Sequence, residues 1–256
     1  MKRFQLYTAA LLFSIMLSYT PSAHAQSSGT LFQSSPITAL LKGYMNGNFK
    51  VGDISKYGDL GLGTFNGVNG EMIVLDGKVY QIKYDGKVYL PSADVKTPFA
   101  AVTFFHPDTE FVSSKEMDFK ELNKFLDGAL SSQNNIYAFK ISGDFTHMET
   151  RSEMKQEKEY TNLVDVLKDQ VIFKFNNVKG DLVGFKFPGY LSGVNAKGFH
   201  FHFIDDKRDA GGHVLGLKTG KIKIEIERIK DLKMIIPSGK EYDGLNLGDG
   251  KSASHL

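Results

Sequence analysis

Cysteine and tryptophan are absent from the 256-residue sequence. Without cysteine there can be no disulfide framework, thiolate zinc finger, iron–sulfur cluster or cysteine nucleophile, so any metal must sit on His, Asp or Glu. An excess of one charge is also missing. The 31 Lys and Arg stand against 29 Asp and Glu, interspersed along the chain, which leaves no electrostatic footprint for a polyphosphate and makes nucleic acid an unexpected partner. After the first residues no apolar run approaches the roughly 20 residues that a membrane-crossing helix needs. What the chain does have is 41% hydrophobic and 12% aromatic residues, enough for a sizeable core in one large or two small domains.

The N-terminus carries a different signal. Lys2 and Arg3 precede an apolar stretch from Leu6 to Leu17, and Ala23-His24-Ala25 supplies a small-x-small cleavage pattern. This order predicts a secretory signal peptide over residues 1–25, too short in its apolar part to serve as an anchor. Its removal takes two bases and no acid, leaving 29 of each sign. The mature product is expected to be exported, secreted or periplasmic, beginning at Gln26. Residues 26–34 read as a polar, flexible leader, with structure starting at Ser35.

From there the pattern alternates between helix and strand signals. Ser35-Pro36 reads as an N-cap with proline at the first helical position, followed by Leu40, Leu41, Tyr44 and Met45 at helical spacing. Asp76-Gly77 and Asp85-Gly86 each separate β-type runs and predict hairpins. Phe99 to Phe105 reads as a buried strand, and Asp118-x-x-Glu121 as a capping box opening a helix that carries Phe119, Leu122, Phe125 and Leu126. Ile136–Ile141 and Phe145–Arg151 read as two strands joined at Gly143-Asp144, and Thr161–Lys168 as a short helix. Short strands are then expected at Val171–Phe175, Leu182–Phe187, Gly198–Ile204, His213–Leu217 and Lys221–Ile229. Together these predict an α+β, two-domain subunit on mixed or antiparallel sheets with a few short helices. The division is expected at 35–165, an N-terminal α/β domain, and 166–256, a C-terminal β-rich metal-binding domain.

The chemistry concentrates in the stretch from Gly198 to His213. On a strand, His200 and His202 share one face while Phe199, Phe201 and Phe203 share the other. Closing a hairpin over the polar loop Asp205–Ala210 sets Ile204 opposite Gly211 and His202 opposite His213. Three imidazoles then converge from two strands, the donor set of a metal site with an open position. His106, His147 and His255 have no such spacing partner. On residue types alone the reading stops at a metal-dependent enzyme acting on small molecules, with a hydrolase, an isomerase or a non-enzymatic metal-binding or ligand-binding protein as alternatives.

Four blocks in order narrow it: Tyr57-Gly58-Asp59-Leu60-Gly61-Leu62-Gly63-Thr64-Phe65-Asn66, then Asn69-Gly70-Glu71-Met72-Ile73, then Thr150-Arg151, then the histidine block through Gly211-Gly212-His213-Val214. Their order and spacing resemble the α-acetolactate decarboxylase family over about residues 35–236, with Thr97-Pro98-Phe99-Ala100 and Asn177-Val178-Lys179-Gly180 adding to the likeness. The resemblance implies a zinc enzyme that converts 2-acetolactate to (R)-acetoin and carbon dioxide, as a homodimer of two-domain subunits. It also implies that His200, His202 and His213 hold Zn2+, that Glu71 is the acidic residue near the metal, and that Arg151 is the active-site arginine. Thr64 is a further candidate, to hydrogen-bond substrate or Glu71. One departure stands out, for the family pattern places a glutamate in the C-terminal tail near the metal, and here no Glu follows Glu241. Asp249, His255 and the terminal carboxylate of Leu256 are possible substitutes, none of them counted as a ligand.

Overall fold

The computed structural model describes residues 29–157 and 161–248. A seven-stranded sheet is ordered β14 (Asp231–Met234), β1 (Thr30–Gln33), β8 (Ala100–Thr103), β3 (Leu60–Thr64), β4 (Glu71–Leu75), β5 (Lys78–Ile82), β6 (Val88–Tyr89). A five-stranded sheet is ordered β10 (Ile136–Ser152), β11 (Val171–Phe187), β12 (Gly198–Asp205), β13 (Gly211–Ile229), β9 (Thr109–Ser113). Strands β2 (Phe49–Lys50) and β7 (Lys96–Thr97) form a separate pair. Among the described residues four short α-helices complete the fold, with short 3-10 turns between elements: α1 (Ile37–Leu41), α2 (Phe119–Ala129), α3 (Leu163–Val166) and α4 (Lys240–Asp243). The expected α+β class with mixed and antiparallel sheets is what the chain adopts, the parallel pair β1–β14 making the larger sheet mixed. Among the described residues no helix is long and apolar enough to cross a membrane.

Side-chain alternation explains how the sheets stack. One face of the smaller sheet sends Phe139, Phe145, Phe201, Phe203 and Ile224 into a core closed by Leu122 and Leu126 of α2. Its other face sends Val183, Phe185, Phe187 and Ile204 against Leu62, Ile73, Leu75 and Ala101 of the larger sheet. Each fully buried Phe or Leu contributes about 1.5–3 kcal/mol relative to exposure, so this interface holds the two sheets together. β10 pairs with both β11 and β13, and β12 pairs with both as well. The four strands thus close a ring of pairings, and the functional residues lie on the face that this ring turns toward β4.

Several expectations need correction. The leader expected over 26–34 does not extend to Gln33: Thr30–Gln33 is a strand inside the larger sheet, with Leu31 and Phe32 fully buried. Leu31 and Phe32 enter different cores on the two faces, so the segment shows no alternation to read. Ser35 does not cap α1; Pro36 occupies the N-cap, and the Ser35 hydroxyl donates to the Pro98 carbonyl at 2.6 Å. Asp76-Gly77 is a two-residue hairpin with both residues at positive φ, whereas at Asp85-Gly86 only Gly86 is. The strand pairs expected to break at Gly143, after Phe175 and after Leu217 are single strands of 17, 17 and 19 residues. Gly143, at φ 146°, marks a bulge inside β10 instead of a turn. The boundary expected at 165/166 does not separate the sheets either. β9 and β10 come from before it yet belong with β11–β13, and β14 returns to the larger sheet.

Candidate metal centre

The β12–β13 hairpin has the register expected from its sequence, with His202 opposite His213 and Ile204 opposite Gly211. Its turn is tied by Asp205, whose carboxylate accepts from the Asp209 and Ala210 backbone N–H groups at 2.9 and 3.1 Å. β13 is flanked on its other side by β10, so Arg151 stands directly opposite His213. Gly212 permits that approach: at φ +137°, a Cβ there would lie 2.4 Å from the Arg151 carbonyl oxygen. From the facing sheet β4 contributes Glu71, which is paired with Thr64 on β3.

The three ring nitrogens that meet are His200 Nε2, His202 Nε2 and His213 Nδ1, at mutual distances of 3.2, 3.1 and 3.3 Å. These contacts cannot all be hydrogen bonds, because a neutral imidazole has one N–H and His202 uses its own at Nδ1, donating to the Met72 carbonyl at 2.9 Å. That bond fixes the tautomer and leaves the Nε2 lone pair aimed inward. A tetrahedral ion with metal–nitrogen bonds of about 2.0–2.1 Å needs ligand nitrogens about 3.3–3.4 Å apart. The spacing and the donor chemistry therefore fit one metal ion, and these three histidines form a group that could hold one. Burial holds all three rings neutral. His202 is lowered to about 3, with the Arg151 charge adding to burial. His200 and His213 also lie well below the ordinary histidine value, chiefly through burial.

Around them lie two acids and the arginine. Glu71 Oε2 is 3.3 Å from His202 Nε2. Burial first, and the Glu153 charge second, raise the Glu71 carboxyl well above its usual range, against the opposing pull of Arg151. Glu153 lies near enough to raise Glu71 further, while Arg151 and Glu71 pull Glu153 back against the effect of its own burial. Arg151 donates from Nη1 to Gln170 Oε1 at 3.0 Å, and its Nε lies 3.5 Å from Glu153 Oε1. Thr64 lines the same recess, yet its hydroxyl donates to the Gly70 carbonyl at 2.8 Å and so braces the turn before Glu71. His200 Nδ1, Arg151 Nε and Glu153 Oε2 are buried without a hydrogen-bond partner, a concentration of unsatisfied polar atoms that marks a functional site. Ile37, Leu40, Val68, Phe99, Leu163 and Leu167 wall a recess around them.

All six expected site residues, Thr64, Glu71, Arg151, His200, His202 and His213, thus line one recess. Glu153 and Gln170 escaped the sequence reading. Glu153 had a usable signal, since i and i+2 share a side on extended chain and Arg151 is two residues before it. Gln170 had none, being brought in by the turn between α3 and β11. His106 and His147 are outside the recess, while Asp249, His255 and Leu256 lie beyond the described residues.

Three neutral imidazoles, an acid and an arginine in an apolar-walled recess define a site able to hold one metal ion against a small, charged organic molecule. The sequence matches the alpha-acetolactate decarboxylase family over residues 31–249. It is 43% identical over 228 residues to the alpha-acetolactate decarboxylase of Methanosarcina mazei, covering 89% of this chain and 79% of that one. It is 36% identical over 226 residues to the Bacillus subtilis enzyme of that name, covering 88% and 89%. A crystal structure of alpha-acetolactate decarboxylase from B. subtilis superposes with a TM-score of 0.84 over 86% of this chain and 94% of that one, at 36% identity. A Staphylococcus aureus protein described as similar to alpha-acetolactate decarboxylase gives 0.79 over 81% and 89%, at 31% identity. The chain belongs to the alpha-acetolactate decarboxylase family, and by class it is a lyase.

Proposed function

We propose that this lyase uses a single zinc ion on His200, His202 and His213 to convert 2-acetolactate to (R)-acetoin and carbon dioxide. The observation that carries the reading is the convergence of three neutral imidazole nitrogens within 3.3 Å of one another, beside Glu71 and Arg151. Imidazole sets suit zinc among other transition ions. When bound, such an ion supplies a Lewis acid that disperses the negative charge left as the carboxylate departs. The protein's own groups do the rest. Arg151, held by Gln170, offers a planar, permanently charged donor set to the substrate carboxylate. Glu71, kept protonated by burial, returns a proton from Oε2 to the carbon that has lost carbon dioxide. The apolar walls keep bulk water from competing for that carbanionic carbon.

The test is an acetoin assay on purified protein, with chiral analysis of product and metal analysis of the same sample. Acetoin formed at a rate that falls with chelator and returns with zinc supports the reading. Full activity in metal-free protein refutes the zinc. We extend the proposal to a homodimer and to export after cleavage at Ala25, which rest on the family resemblance and on the leader sequence respectively.

A further inference from the structure

Glu153 is an acid that the reaction outlined above does not use. It is 2% exposed, and it follows the end of β10 by one residue. Its Oε1 faces Arg151 Nε at 3.5 Å. Arg151 is itself 6% exposed, and its other named partner, Gln170, is neutral.

The charge balance of the reaction gives this arrangement a purpose. Acetolactate enters as a monoanion, and its carboxylate faces Arg151. The bond from the carbinol carbon to the carboxylate breaks, its electron pair moves into the enediolate, and carbon dioxide leaves uncharged. The proton that Glu71 gives to carbon makes acetoin, also uncharged, and leaves Glu71 a carboxylate until solvent returns a proton to it. Once Glu71 is reprotonated for the next turnover, the buried guanidinium has lost the anion that the substrate brought. A buried charge without a partner is strongly unfavourable, so something resident must balance it.

We propose that Glu153 is the resident counter-ion and positioning residue of Arg151, holding the guanidinium in place between turnovers and giving way as partner when a substrate carboxylate arrives. This rests on the reading of Arg151 as the carboxylate clamp. The role is one of charge as well as shape, which separates it from ordinary packing. A resident anion also weakens the pull of Arg151 on an incoming one, so neutralising Glu153 tightens anion binding.

The experiment compares metal-loaded wild type, Glu153→Gln and Glu153→Asp. The probe is 2-hydroxy-2-methylpropanoate, which has the substrate's hydroxyl and carboxylate but no ketone and cannot decarboxylate. In Glu153→Gln the melting temperature without the probe falls and its rise on adding the probe grows. The inhibition constant drops by at least about threefold, KM drops with it, and kcat falls. Glu153→Asp keeps the charge and stays near wild type in its response to the probe. A purely structural role predicts the reverse order, with the isosteric Gln silent and the shorter Asp impaired, and that order overturns the proposal. Should Glu153→Gln be recovered unfolded, refolding that succeeds only with the probe present supports the counter-ion, and failure under both conditions overturns it. Arg151→Ala run in parallel separates the two readings. An unchanged KM there sinks the clamp itself, whereas a raised KM with a silent Glu153→Gln sinks only the counter-ion.

Discussion

Nε2 of His202 lies within 3.3 Å of three other side chains, His200, His213 and Glu71, and its Nδ1 is spent on the Met72 carbonyl. His202→Ala removes one of the three imidazoles and the hydrogen bond that ties the cluster to the β4 backbone. The expected outcome is loss of metal and of turnover in a protein that still folds, checked by metal analysis and circular dichroism; full metal occupancy would end the idea. Glu71→Gln keeps the shape but cannot exchange a proton, so kcat falls by roughly 10²–10⁴ with KM nearly unchanged. Metal content read in the same sample shows whether Glu71 is instead a ligand. Arg151→Ala acts differently, since the substrate carboxylate loses its cationic partner before reaction. KM rises and kcat falls, with a loss in kcat/KM equivalent to about 2–5 kcal/mol for a buried charged pair.

At the scale of the element, the site depends on a hairpin of few pairs. β12 and β13 share only three residue pairs beyond the turn before β13 diverges, and the register of those pairs sets His202 beside His213. A one-residue slip would turn the histidines to the phenylalanine face. Asp205 holds that register by accepting two backbone N–H groups. Asp205→Ala should therefore destabilise the protein by about 1–3 kcal/mol and weaken metal affinity in the same variant. Urea unfolding and competition with a metal indicator measure the two effects, and stability lost without any change in affinity would show that the turn does not govern the ligands. Gly212 restricts the other flank in the same way, since any side chain there pushes into the β10 backbone.

Across the whole molecule, buried titratable groups make stability depend on pH in two opposing directions. His200, His202 and His213 stay neutral in the fold while the unfolded chain protonates them below their ordinary 6.5. Their contribution is lost as pH falls, by up to about 1.4 kcal/mol per pH unit for each ring. Glu71 and Glu227 are raised above 4.5, Glu227 to about 7. These carboxyls stay protonated in the fold where the unfolded chain is ionised, so they oppose folding as pH rises above 4.5. Between about 4.5 and 6.5 the two sets largely offset each other. Metal-free protein should accordingly show a plateau of stability there and a decline on either side. Thermal melts of chelator-treated protein across that range provide the check, and a melting temperature still climbing above about pH 7 would contradict it.

The sequence by itself determined what depends on neighbours along the chain. Alternation put His200 and His202 on one face, a six-residue polar loop set His213 opposite His202, and Asp118 with Glu121 closed its capping box as expected. Spacing of two and turn closure are local geometry, so they survive any tertiary arrangement. What the tertiary structure decided is everything carried by strand partners distant in sequence. Arg151 reaches His213 only because β13 pairs with β10 as well as β12, and Glu71 reaches His202 only because two sheets pack face to face. Thr30–Gln33 became a core strand because both of its faces happen to meet a sheet or a core. Gly143 was read as a break because glycine permits turns and bulges alike, and only the strand on either side selects between them. Glu153 and Gln170 acquire a role from the guanidinium that folding places between them, and a charge has no partner until the chain has brought one to it.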